Sequence, residues 1–160
     1  MLIELGVRTD LEKLLTIEND AFFVNRISRD RMRRFLNKND RSTILLVARE
    51  REVPTSCVGY ILVLFNARNR IARIHSYAIN PSYRGTGLGA ELIERGCRAA
   101  LDRGCNLIRT EVRATSPHAL GRYEKSGFRH CGQKDDYYAD GCTALSYERA
   151  LISDKKDPSF

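Results

Sequence analysis

The rhythm of apolar and polar positions changes along this chain and divides it into elements. Residues 2–7 alternate weakly and predict a first strand. Leu11, Leu14, Leu15, Glu18 and Phe22 then recur at helical spacing behind Thr9-Asp10, so 10–22 reads as an amphipathic helix with its cap. A second helix follows, capped by Ser28, with Met32, Phe35 and Leu36 on its apolar face. The unbroken run Ile44-Leu45-Leu46-Val47-Ala48 reads as a buried strand, and Glu50-Arg51-Glu52 turns the chain. Val58 to Phe65 and Ile71 to Ile79 are two further strands; the hairpin-sized gaps predict antiparallel pairing. The rhythm then changes. Leu88, Leu92, Ile93, Cys97 and Leu101 mark a longer helix, Leu107 to Val112 a strand, and Pro117 to Lys125 a short helix. Phe128 to Cys131 and Thr143 to Ala150 read as closing strands. The order βααβββ followed by αβαββ predicts an α+β fold, a mixed and mostly antiparallel sheet with helices on its faces. Residues 1–152 are expected to form one domain, with 153–160 a loose charged tail.

With 160 residues the chain suits one domain with a sizeable core. No apolar run approaches the about 18 residues of a membrane span, and Met1-Leu2-Ile3-Glu4-Leu5 lacks the features of a secretory signal. Five cysteines without CxxC spacing read as free thiols in a reducing cytoplasm. His75, His118 and His130 have no metal-ligand spacing, and no metal is expected. The 27 basic against 20 acidic residues give a net charge of +7, which favours an anionic partner: nucleic acid, a membrane surface or a phosphorylated cofactor. Neither a membrane span nor an aromatic-basic nucleic-acid motif supports the first two. The basic stretch Arg26, Arg29, Arg31, Arg33, Arg34 and Lys38 is either a solvated face or a rim that draws in an anion.

The sharpest local motif is Arg84-Gly85-Thr86-Gly87-Leu88-Gly89, between a strand and a helix. Glycines let a ligand approach the main chain, and the first N–H groups of a helix lack internal partners, so the turn suits a phosphate or pyrophosphate. A P-loop would need Lys-Ser/Thr after the turn, where Ala90-Glu91 stands. A dinucleotide fingerprint is met by Gly85, Gly87 and Ala90, with Glu111 about 20 residues on. The antiparallel half before it and the short chain after it leave NAD binding a minor alternative.

Arg84-x-x-Gly87-x-Gly89 resembles the acetyl-CoA pyrophosphate signature of the GNAT N-acetyltransferases. Glu111-Val112-Arg113-Ala114 is similar to a segment of the bacterial ribosomal-protein-alanine (RimI-like) members. Tyr123-Glu124-Lys125-Ser126-Gly127-Phe128 is similar to the family's Y-E-x-x-G-F signature. Asp136-Tyr137-Tyr138-Ala139-Asp140-Gly141, with Ala144-Leu145, resembles the closing hairpin of N-terminal acetyltransferases. The resemblance runs from Ile71 to about Ala150 and implies transfer of acetyl from acetyl-CoA to an amine, in a V between splayed fourth and fifth strands. By position it implies that the backbone of Tyr77, Ala78 and Ile79 lines the pantetheine arm. It gives Arg84, Gly85, Thr86, Gly87, Leu88, Gly89 and Ala90 to the pyrophosphate, Glu111 the role of general base, and Tyr123 that of general acid. It places Tyr137 and Tyr138 against the acceptor. Ser116 stands where RimI-like members carry a cofactor-binding Asn, and a serine reaches less far.

Plainer readings stand beside these. Arg109, Glu111 and Arg113 share one face of a strand, so Glu111 can simply pair with its arginine neighbours. Tyr123 can be a core residue with a satisfied hydroxyl, and Ala139-Asp140-Gly141 only a turn. The favoured acceptor is the α-amino group of a peptide or protein, such as a ribosomal protein. The alternatives are a small amine (amino acid, polyamine or aminoglycoside) and a non-catalytic acetyl-CoA-binding module. A homodimer is compatible with the resemblance.

Overall fold

The computed structural model describes residues 1–152, so the tail expected at 153–160 lies outside the described residues. Strand β1 is Leu2–Leu5, followed by a short 3-10 turn at Arg8–Asp10. Helix α1 is Leu11–Ala21 and α2 is Arg29–Asn37. Strands β2 (Thr43–Arg49), β3 (Gly59–Asn66) and β4 (Ile71–Ile79) form the antiparallel meander expected from the short gaps. Then come α3 (Leu88–Asp102), β5 (Leu107–Arg113), α4 (Pro117–Lys125), β6 (Arg129–Lys134) and β7 (Ala144–Ala150).

All seven strands join one sheet in the order β1-β2-β3-β4-β5-β7-β6. Every neighbouring pair is antiparallel except β4 and β5, which run parallel because α3 carries the chain back across the sheet.

The apolar patterning divides the core between the two faces. β2 is buried along its whole length, and its alternate residues point to opposite sides. Leu45 and Val47 pack with Leu14, Ile17, Met32 and Leu36 of α1 and α2. Ile44, Leu46 and Ala48 join Leu92, Ile93, Cys97 and Ala100 of α3 on the other face, with Ile108, Val112, Tyr123 and Phe128. Ser28 caps α2 as predicted, its side chain accepting from Arg31 N at 3.4 Å.

The start of α1 departs from the predicted cap. The Asp10 side chain caps no helix N–H of α1; it accepts from Val7 N at 2.8 Å and from both terminal nitrogens of Arg49, at 2.7 and 2.6 Å. Arg49 is buried at the end of β2 and also meets Glu4 at 2.6 Å and Ser56 O at 2.9 Å. Burial by itself would raise the Asp10 pKa, but the Arg49 and Val7 hydrogen bonds outweigh it and hold the carboxyl below its ordinary value. The arginine has no alternative partner buried with it, so the aspartate is used for charge neutralisation rather than capping.

Candidate active site

The parallel pairing of β4 and β5 covers only Ile71–Arg73 against Leu107–Arg109. Past Arg73 the two strands part, and among the described residues no strand pairs with that edge of β4. The cause lies on the other edge. Leu62 pairs with Ser76 and Val63 with Ile74, so His75 is an extra residue on β4. A bulge bends its strand and strengthens the local twist. Thr110 Oγ1 marks the apex of the fork, 3.4 Å from Ile74 O. Tyr77, Ala78 and Ile79 lie beyond it on the β4 limb, paired with Ile61, Tyr60 and Gly59 on their far side.

The glycine loop enters beside this fork. Asn80 caps Ser82 N at 3.0 Å, and a 3-10 turn at Pro81–Tyr83 leads to Arg84, which is exposed. Gly87 is the N-cap of α3 at φ 84°, a left-handed conformation that disfavours any side chain, and a Cβ there would meet open space. The helical ladder begins only with Glu91 N donating to Gly87 O at 3.1 Å, so the N–H groups of Leu88, Gly89 and Ala90 precede it. These groups, the open space over Gly85 and Gly87, and the Arg84 cation fit a pyrophosphate. Gly89 serves a different need. A Cβ there would run into the Tyr77 hydroxyl and the Arg122 guanidinium, so its bareness lets β4 and α4 close on the helix start. Ser116 lies half-buried immediately before α4, with no side-chain capping bond.

Tyr123 projects from α4 into the core under the fork. Its ring packs against Phe128, with centroids 5.2 Å apart, and against Tyr77 at 6.3 Å. Burial pushes its hydroxyl well above the ordinary tyrosine value, and a hydrogen bond with Thr110 offsets only part of that. The phenol therefore keeps its proton at neutral pH. The Tyr77 hydroxyl is likewise pushed up to about 12 by burial.

Glu111 is on the β5 limb with its side chain only 9% exposed. The plainer alternative, pairing with its arginine neighbours on the strand, does not occur. Arg109 binds Glu148 at 2.9 Å and Arg113 binds Asp140 at 2.8 Å. The cations on Glu111 come from other strands: Lys134 Nζ of β6 donates to Oε1 at 2.7 Å, and Arg73 Nη2 of β4 lies 2.7 Å from Oε2. The second contact is electrostatic only. Oε2 is out of solvent and accepts no hydrogen bond, while Arg73 Nη2 donates to the Tyr137 hydroxyl at 2.6 Å.

The hairpin between β6 and β7 forms the adjoining wall. Tyr137 and Tyr138 meet edge to face at 5.0 Å, with Lys134 over the first ring and Arg113 over the second. Tyr138 is close enough to act electrostatically on Tyr123 and to be acted on by Glu111. The opposite wall is the loop between α1 and α2. Asn25 in that loop accepts from Ala139 N at 3.0 Å and joins the two walls. Glu18, buried in α1, anchors the loop by accepting Ile27 N at 2.8 Å and the Tyr60 hydroxyl. Part of the basic stretch also reaches this region: Arg31 lies 3.3 Å from His75 Nε2. Arg73, Lys134 and His75 carry no local motif, and only the fold brings them to Glu111. Among the described residues no group of three potential ligands could hold a metal ion, and no helix is long and apolar enough to cross a membrane.

Among curated proteins, the chain is 29% identical over 91 residues to N-alpha-acetyltransferase MAK3 of Arabidopsis thaliana, covering 56% of this chain and 48% of that protein. It is 32% identical over 81 residues to the ribosomal protein bS18-alanine N-acetyltransferase of Salmonella typhimurium, covering 51% of this chain and 53% of that one. The chain thus spans about half the length of either relative. Among solved structures, Ard1 from Thermoplasma volcanium superposes with a TM-score of 0.82 at 22% identity, over 95% of this chain and 98% of that one. The acetyltransferase (GNAT) family profile matches residues 11–128, from the start of α1 to the turn after α4, and the chain belongs to that family.

Proposed function

We propose that this protein is an acetyl-CoA-dependent N-acetyltransferase whose acceptor is the α-amino group of a peptide or protein. The observation that carries the reading is the fork itself. The glycine-led helix start is suited to pyrophosphate, Tyr123 is a buried, protonated phenol bonded to Thr110 at the apex of the fork, and Glu111 is a carboxylate on the β5 limb.

The N–H groups of Gly85 to Ala90, with Arg84, would hold the pyrophosphate, and the β4 backbone at Tyr77, Ala78 and Ile79 would line the pantetheine arm. An N–H on that edge would polarise the thioester carbonyl. Bound there, acetyl-CoA supplies an activated acetyl group. Glu111 takes the proton that an ammonium must lose before it can attack, directly or through water. Tyr123 would give its proton to the departing thiolate: burial keeps the phenol protonated at neutral pH, and also makes it a weaker acid than a free tyrosine, so the transfer depends on the charge that develops on sulfur beside it. Ser116 supplies a hydroxyl at the head of α4 with shorter reach than an asparagine.

The acceptor assignment rests on two supports. The Asn25–Ala139 hydrogen bond ties the α1–α2 loop to the β6–β7 hairpin, and an acceptor site closed on that side favours the end of a chain over its middle. The plant relative is named as an N-alpha-acetyltransferase and the Salmonella relative as a ribosomal protein bS18-alanine N-acetyltransferase.

The test is acetyl-CoA-dependent thiol release over one panel: Ala-, Ser- and Met-starting peptides, polyamines, amino acids and aminoglycosides. Turnover on peptides, lost in Glu111→Gln and Tyr123→Phe, is the expected result. Turnover on small amines alone would overturn the acceptor and leave the reaction class. Binding of acetyl-CoA without turnover on any amine would favour a non-catalytic binding module.

A further inference from the structure

Arg73 and Lys134 converge on one carboxylate, Glu111, and one oxygen of that carboxylate is buried without a hydrogen bond. His75 adds a third cation by contact, since Arg31 lies 3.3 Å from its ring. The imidazole itself is kept neutral, because burial and then Arg31 and Arg73 lower its pKa. Several acids on neighbouring elements are already paired with other cations. Glu148 pairs with Arg109, Asp140 with Arg113, and Asp30 with Arg33.

This arrangement conflicts with the chemistry proposed above. A positively charged ammonium must come to Glu111, whose two oxygens both face cations. Replacing the cations with neutral groups would be the simple solution for an uncharged acceptor. Retaining them makes sense if the acceptor brings its own anion.

We infer that the acceptor carries a carboxylate within a few ångströms of its amine, and that this carboxylate binds Arg73 and Lys134 and so uncovers Glu111. The inference rests on the acetyltransferase reading and specifies its substrate. The chemistry fits an acidic residue directly after the N-terminal residue of a peptide. The α-carboxylate of a free amino acid is the other source of the same group. Arg73 is suited to the exchange. Its guanidinium presents several N–H donors in one plane, and one of them already reaches the Tyr137 hydroxyl on the hairpin wall. It can therefore turn from Glu111 to an incoming carboxylate while keeping its contact with that wall.

The test uses the full-length protein with CoA present and C-terminally labelled peptides beginning Ala-Glu, Ala-Gln or Ala-Lys and otherwise identical. Binding is read by fluorescence anisotropy and acetylation by thiol release on the same samples. Ala-Glu is expected to bind about tenfold tighter than Ala-Gln, and Ala-Lys more weakly than either. The Ala-Glu preference should shrink at about 0.5 M salt. Arg73→Gln and Lys134→Gln should each bring the Glu/Gln ratio toward one, and Arg73→Glu should favour Ala-Lys. Lys134 is half exposed, so its variant reports even if changes at Arg73 disturb the fold. Displacement of the labelled peptide by free alanine but not by alaninamide would identify an α-carboxylate as the source. Equal binding of Ala-Glu and Ala-Gln, with alanine and alaninamide also equal, overturns the inference, as does the absence of measurable binding by any carboxylate. Charge-dependent binding without acetylation would instead overturn the transferase reading and leave the charge recognition standing.

Discussion

Tyr123→Phe removes one oxygen and leaves the ring that packs between Tyr77 and Phe128. If the phenol is the general acid, kcat falls by about a hundredfold or more while stability and the KM for acetyl-CoA change little. Steady-state thiol release beside a thermal melt separates the two effects. Glu111→Gln should lower kcat by about 10²–10⁴-fold, read by the same thiol-release assay. In the absence of acetyl-CoA, Gly87→Ala probes backbone strain, because a methyl there meets open space. Forcing an alanine to φ 84° should cost about 1–2 kcal/mol, read as a lower denaturation midpoint with an unchanged slope.

At the scale of elements, β2 fixes both faces of the core and ends on the buried Arg49–Asp10 pair. Asp10→Asn leaves the guanidinium with Glu4 and Ser56 alone and should cost about 3 kcal/mol by chemical denaturation. The sign of the pH effect follows from the direction of the shift. The folded carboxyl titrates below its unfolded value, so the stabilisation is present above about pH 4 and is lost as the pH falls through the lower folded value. Unfolding titrations from pH 7 to pH 3 should show that loss in the parent and a flatter curve in Asp10→Asn. The same pair shows what a linear reading can and cannot recover. The helices, the meander and the glycine-led α3 were legible because apolar spacing and turn residues are local signals. Asp10 was read as a cap because Thr9-Asp10 is also a local signal, while the arginine that claims it is 39 residues away. Motif resemblance marks Glu111, Tyr123 and the tyrosine pair; in the fold Glu111 lies on the β5 limb, and Tyr123 is buried against Tyr77, Phe128 and Thr110. Lys134, 23 residues from Glu111, and Arg73 on β4 were not marked, because only the splay of the sheet sets their place. The bulge at His75 that produces the splay leaves no trace in composition or periodicity.

Over the whole molecule, the two walls of the acceptor slot come from opposite ends of the chain and meet at Asn25 and Ala139. Asn25 sits at φ 56°, so Asn25→Gly removes the side-chain bond without imposing strain. That variant should raise the KM for peptide acceptors several-fold and leave the KM for acetyl-CoA unchanged. The short parallel seam between β4 and β5 has a further consequence. Among the described residues, three residue pairs and the Asn106 N–Arg70 O hydrogen bond beside them join the main chains of β4 and β5 across the sheet. The two leaves are hinged on this seam like a book on a short spine, and a ligand lying in the gutter is stitched to both covers. Its binding free energy therefore adds to the cohesion of the leaves. Amide hydrogen exchange at 107–109 should slow on addition of CoA more than exchange in the middle of β3, so that the occupancy of the fork is written into the breathing of the sheet.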